Sequence, residues 1–140
     1  LDLAKDVMVS LKKDPNDFFK DMYGDKPDKW SSAHKTKDKQ RLAINAMTRL
    51  RCLNNDNAID FTYKSSLNNL PDNLTPWFDI KTKKTRREFI ISGHWSAIGI
   101  QKHNYGITLD TGCVWGGELS AYCIESGSLV SVNSDNRDLP

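Results

Sequence analysis

Two short segments concentrate the residue types that can do chemistry. The first is Ile90-Ile91-Ser92-Gly93-His94-Trp95. Its apolar, β-branched start predicts a strand that carries His94 to its carboxyl end, where open sheets bind their ligands, and Gly93 lets the backbone approach an ion or phosphate closely. A neutral imidazole there can hold a divalent metal through one nitrogen while a carbonyl fixes the other. Against that, a metal needs several ligands, and no HxxxH or HxH partner is present: His34 lies in a lysine-rich stretch and His103 in an expected turn. From the residues alone, a satisfied, partly buried histidine stands beside the metal ligand as a reading. The second segment, Leu109-Asp110-Thr111-Gly112-Cys113-Val114-Trp115-Gly116-Gly117, ends a strand at Asp110 and Thr111 and then turns on three glycines. It reads equally as a turn folded around a ligand and as a β-turn with Trp115 lying on the core. Cys113 has no His or Asn context for a nucleophile and reads as a small buried residue.

These segments must be positioned by the rest of the chain. Leu1, Ala4, Met8 and Leu11 recur near the helical period, Asp14-Pro15-Asn16-Asp17 is breaker and cap chemistry, and a second short helix should end at Gly24. Lys26 to Gln40 is lysine-rich with little periodicity and reads as an exposed loop. From Arg41 to Cys52 the apolar residues Leu42, Ala43, Ala46, Met47 and Leu50 fall a helical turn apart. On that helix Asn45 and Arg49 share a polar face that could meet phosphate oxygens, although a structural salt bridge explains Arg49 as well. Ile59, Phe61 and Tyr63 alternate as in a strand, and Ser65 to Lys84 has loop composition around Trp77-Phe78. Strands are expected at Glu88–Ser92, Gly106–Leu109, Leu119–Ile124 and Leu129–Val132, the last two as a hairpin across Glu125-Ser126-Gly127. Helices first and strands after give an α/β reading, with a helical and loop section over 1–86 and a strand section over 87–140.

Composition narrows the function. The 140 residues are 38% hydrophobic and 27% charged, with 20 basic and 18 acidic side chains leaving a net charge of +2, so electrostatic capture of DNA is not expected. The longest apolar runs, such as Phe89–Ile91, fall far short of the roughly 20 residues that cross a bilayer, so no membrane partner is expected. Three cysteines without CxxC spacing point to a reducing cytoplasm rather than a disulfide framework. The chain opens Leu1-Asp2-Leu3 with no signal-peptide pattern, which suggests a processed or excised segment.

Five blocks resemble, in order, the C-terminal part of symmetrical bis(5′-nucleosyl)-tetraphosphatases, diadenosine tetraphosphatases of the metallophosphoesterase superfamily. They are Phe18-Phe19 with Met22-Tyr23-Gly24-Asp25, Pro27 and Trp30; Asn45 to Arg51; Pro76-Trp77-Phe78; Gly93-His94-Trp95; and Leu109 to Gly117. The resemblance implies the C-terminal portion of a β-sandwich flanked by helices. It also implies a hydrolase in which two bridged divalent metals, of manganese, cobalt or magnesium type, deliver hydroxide to phosphorus and cut a dinucleoside tetraphosphate into two nucleoside diphosphates. His94 matches the family's last metal-ligand histidine, which turns its reading towards the metal. The substrate would be a dinucleoside polyphosphate met by Arg49, Asn45, Trp95, Asp110, Thr111 and Trp115. The two indoles would offer faces for adenine, and Asp110 would orient His94 or cap its turn.

The family's GDxHG, GDxxxRG, GNHD and HAG motifs are absent from this chain and lie further N-terminal in the family. The N-terminal half of the same phosphoesterase is therefore the expected partner, and this segment alone is expected to bind no metal pair and hydrolyse nothing. Where the family carries a leucine, a glycine and arginines after Trp30, this chain has His34 to Lys39, so a phosphate contact is not assigned there. Two other readings remain: a related metallophosphatase acting on phosphoproteins or nucleotide-capped RNA, and a non-catalytic nucleotide- or protein-binding segment.

Overall fold

The computed structural model describes residues 2–80 and 88–139. It is a mixed α/β structure with three α-helices and three small sheets among those residues. The chain falls into two units: residues 1–63 with 73–77, and residues 64–72 with 78–140. The expected boundary between sections at residues 86 and 87, and the end of the expected loop over 65–84, lie outside the described residues.

The first unit opens with α1 (Asp2–Lys13) and α2 (Pro15–Met22). The break between them has the chemistry read from the sequence. Asp14 caps α2 by accepting a hydrogen bond from the Asp17 amide at 3.0 Å, and Pro15 occupies the first helical turn, where no amide donor is needed. The third helix, α3 (Thr36–Thr48), differs from the expected Arg41–Cys52 at both ends. It starts earlier because the Asp38 carboxylate accepts from the Lys35 amide, a local cap that hydrophobic periodicity does not register. It stops earlier because Cys52 is worth more to a sheet. β1 (Cys52–Asn54) lies between β2 (Ile59–Asp60) and β3 (Leu74–Pro76), both antiparallel to it, and Cys52 is fully buried opposite Asp60 and Pro76. Arg49 is therefore the residue after the helix, and Arg51 lies outside it with its carbonyl accepting from the Trp77 amide at 3.0 Å. Ala33, Leu42 and Ile59 form the buried cluster, with Leu50, Leu53 and Phe61 against it.

In the second unit, β4 (Ile90–Ser92), β5 (Gln101–His103) and β6 (Gly106–Thr108) form a sheet of order β4-β6-β5. β4 and β6 run parallel, with Ile90, Ile91 and Ser92 opposite Gly106, Ile107 and Thr108. His103, expected in a turn, instead ends β5 and stacks on Phe78 with ring centroids 4.9 Å apart. Gly106 is required at its position. Its φ is +153°, and a Cβ would sit 1.8 Å from the Ile90 carbonyl oxygen, so only glycine lets the two parallel strands pair. Phe78, Trp95, Ile98 and Ile107 supply the buried apolar side chains of this unit. The expected hairpin is present as β7 (Glu118–Tyr122) and β8 (Leu129–Asn133).

Candidate active-site edge

Because β4 and β6 are parallel neighbours in register, their carboxyl ends emerge side by side. The ladder continues one step further, with the Leu109 amide donating to the Ser92 carbonyl at 2.8 Å. Just beyond it the two chemical segments meet: a Cβ built at Gly93 would lie 3.8 Å from the Asp110 Cβ. One sheet edge thus brings together Gly93-His94 and Asp110-Thr111.

Local geometry then separates His94 from Trp95. Trp95 is only 2% exposed; its indole N–H donates to the Ser65 carbonyl at 2.9 Å and its ring packs near Phe78. That anchor satisfies both the apolar body and the polar tip of the indole. His94, by contrast, is exposed and has φ +70°, a left-handed conformation uncommon for a residue with a Cβ and worth roughly 1–2 kcal/mol of strain. Strained residues of this kind gather at functional sites, where the surrounding structure enforces them. The burial of Trp95 on one side and the β4 ladder on the other supply that enforcement.

The Asp110 loop is organised from within. The Asp110 carboxylate accepts from the Gly112 amide at 3.1 Å, so it caps the turn. The Thr111 hydroxyl donates to the Glu118 carbonyl and lies 2.8 Å from the Ser120 hydroxyl, which in turn lies 2.7 Å from that of Ser131. This relay of hydroxyls fixes the loop to the hairpin. Gly112 and Gly116 adopt left-handed φ values of +70° and +89° around the 3-10 turn Cys113–Trp115. Gly117 is closed in differently: a Cβ there would meet the Thr111 carbonyl oxygen at 2.1 Å. The result leaves Trp115 73% exposed, its indole available as a stacking surface. Of the two tryptophans read as cleft walls, Trp115 therefore presents a face and Trp95 holds the turn.

Asn45 and Arg49 belong to the first unit and are engaged there. Asn45 is 2% exposed; its amide donates to the Gly24 carbonyl at 2.9 Å and its oxygen accepts from Arg49 at 3.1 Å. The Arg49 guanidinium also pairs with Asp25 at 2.9 Å and lies 4.5 Å above the Phe61 ring. Together they tie the end of α3 to the Gly24-Asp25 turn. The sequence reading placed Asn45 and Arg49 side by side but missed Asp25 as the partner of Arg49; its place in the Met22-Tyr23-Gly24-Asp25 block was the available signal.

Thiol chemistry does not compete for the site. Burial pushes the Cys52 thiol up to about 11, which keeps it protonated and inert. Hydrogen bonds from Ser126 hold the exposed Cys123 thiol below its ordinary range, but it sits past the end of β7 on the hairpin loop. For metal binding, no group of three His, Cys, Asp or Glu side chains stands close enough to hold an ion among the described residues. The donors at the edge are His94 and an Asp110 carboxylate already bonded to the Gly112 amide, a set that does not fit a two-metal centre on its own. No helix of the described residues is long and apolar enough to cross a membrane.

No family model matches the chain. Several of the chain's curated relatives carry the name symmetrical bis(5′-nucleosyl)-tetraphosphatase. In particular, it is 38% identical over 133 residues to the symmetrical bis(5′-nucleosyl)-tetraphosphatase of Methylobacillus flagellatus, a span covering 94% of this chain and 48% of the relative. The enzyme of that name from Chromobacterium violaceum gives the same identity and coverage, and that of Paracidovorax citrulli is 41% identical over 122 residues, 86% of this chain and 44% of the relative. The chain spans about half the length of the curated relatives it matches. Over that span it is similar to proteins named symmetrical bis(5′-nucleosyl)-tetraphosphatase, the resemblance that the five sequence blocks carry.

Proposed function

We propose that this chain is the C-terminal half of a symmetrical dinucleoside tetraphosphatase, a cytoplasmic metallophosphoesterase that hydrolyses diadenosine tetraphosphate to two ADP. The observation that carries the reading is 38% identity across 94% of the chain to a protein of that name. In this reading the β4–β6 edge is one wall of the substrate cleft and belongs to a β-sandwich that the other half of the parent completes. His94 is this chain's contribution to a divalent-metal pair whose other ligands come from that half; such a pair would supply a hydroxide nucleophile and neutralise phosphoryl charge. The left-handed backbone at His94 supports the assignment, since strained residues of this kind gather at functional sites.

The other residues act by holding shape and reading the substrate. Asp110 and Thr111 fix the glycine turn, and Trp95 anchors the backbone beside His94. Trp115 offers its exposed face to an adenine, a contact worth about 1–3 kcal/mol and enough to distinguish a dinucleotide from bare polyphosphate. Asn45 and Arg49 serve by holding the Gly24-Asp25 turn, and Arg49 is the more exposed of the two.

The test is product analysis. Parent-length protein supplied with manganese and diadenosine tetraphosphate should release ADP alone, with one oxygen from labelled water in one of each two ADP molecules. Equal amounts of ATP and AMP would contradict symmetrical cleavage. Turnover of a phosphopeptide or capped RNA with the tetraphosphate left intact would contradict the substrate class.

A further inference from the structure

Trp115 is 73% exposed, so little of the indole itself is packed, and the backbone beneath must hold it in place. Its amide donates to the Gly112 carbonyl at 2.8 Å, and its pyrrole edge lies by Gly112, where a Cβ would stand 3.8 Å from Cδ1. The next residue, Gly116, has no side chain with which to anchor the turn. That anchor comes from beyond β8. The β7–β8 ladder continues one step, with the Ser134 amide donating to the Gly117 carbonyl at 3.0 Å. The Asp135 carboxylate then accepts from the Arg137 amide at 2.9 Å and from Arg137 Nε at 3.0 Å, which closes a 3-10 turn over Asn136–Asp138. Past this turn the Leu139 side chain returns to the glycines. A Cβ at Gly116 would lie 3.7 and 3.8 Å from its two methyl carbons, ordinary van der Waals contact.

We infer that residues 134–139 are a strap across the glycine turn, with Leu139 as the positioning residue that fixes the Trp115 indole for a nucleobase. This rests on the reading of Trp115 as the adenine platform. The strap grips the two residues that follow Trp115, Gly116 by an apolar contact and Gly117 by a hydrogen bond. A stacking face that is already fixed loses less freedom when the base arrives, so the strap acts on affinity for the base and not on the chemistry at phosphorus. Leu139 works only through Trp115, and its effect on the substrate must vanish where the indole is absent. Asp110 and Thr111 hold the other end of the same loop, so the strap completes its support.

Parent-length protein labelled with fluorotryptophan tests this, the Trp115 fluorine resonance being assigned from its loss in Trp115→Phe. Leu139→Ala should shift or broaden that resonance and leave the other tryptophan resonances in place. Its KM for diadenosine tetraphosphate should rise several-fold with kcat within about twofold of wild type. Leu139→Met refills the contact and should restore both the resonance and KM. In a Trp115→Ala background, Leu139→Ala should add nothing to KM. An unmoved Trp115 resonance would overturn the inference, as would a KM increase of the same size in the Trp115→Ala background. A wild-type KM for Leu139→Ala where Trp115→Ala raises it would overturn it too. The two readings fail separately: a moved resonance with a wild-type KM in Trp115→Ala keeps the strap's hold on the indole and defeats the adenine platform alone.

Discussion

Asn45 and His94 are both polar residues from blocks that resemble the same hydrolase family, yet the structure treats them in opposite ways. Asn45 is buried, with both ends of its amide bonded, to Gly24 and Arg49. His94 is exposed on a left-handed turn at the end of a parallel strand, held there by the buried Trp95 that follows it. The difference teaches that membership in a recognisable block does not distinguish chemistry from scaffolding. Burial with satisfied hydrogen bonds marks residues whose loss the fold feels, and strained, exposed residues are the ones that gather at functional sites.

That contrast can be broken by substitutions graded from large to small. Gly117→Ala should have the largest effect on the fold. Its Cβ would lie 2.1 Å from a backbone oxygen that cannot rotate away, so the loop must open at a cost of about 3 kcal/mol or more. Thermal unfolding would read that loss, and an unchanged melting temperature would mean that the turn is not held as described. Next, Asn45→Ala strands the Gly24 carbonyl and loosens Arg49, so a loss of about 2 kcal/mol in denaturant unfolding is expected with KM nearly unchanged. Arg49→Ala removes a partly exposed ion pair with Asp25, which solvent screens, and should cost about 1 kcal/mol. A KM that rises severalfold in Arg49→Ala without loss of stability would move Arg49 from the scaffold to the substrate and erase the contrast on that side.

Much of this arrangement was legible in the residues. Pro15 after Asp14 located the helix break, Glu125-Ser126-Gly127 located the hairpin, and the Gly-His-Trp and Asp-Thr-Gly segments were recognised as strand ends. What escaped was set by distant partners. The end of α3 could not be read because the apolar pattern continues through Leu50 and Cys52, and only the pairing of Cys52 with Asp60 and Pro76 makes that stretch a strand. The very different exposure of Trp95 and Trp115 was equally hidden. Both stand beside small residues, but a carbonyl thirty positions earlier, at Ser65, takes the first indole into the interior. The positive φ of His94 has no local signature, since histidine enters the left-handed region far less readily than glycine does.

The most direct test of the central claim is a comparison of parent-length wild type with His94→Asn. Asparagine tolerates the left-handed backbone that alanine would strain, so the fold is spared while the imidazole is lost. The account predicts that kcat for diadenosine tetraphosphate falls by roughly 100-fold or more, beyond what loss of a residue merely supporting a metal ligand brings. Bound manganese per protein should fall with it, and the melting temperature should stay within about 2 °C of wild type. Activity and manganese content close to wild type would contradict the account and leave His94 as a surface residue on a strained turn.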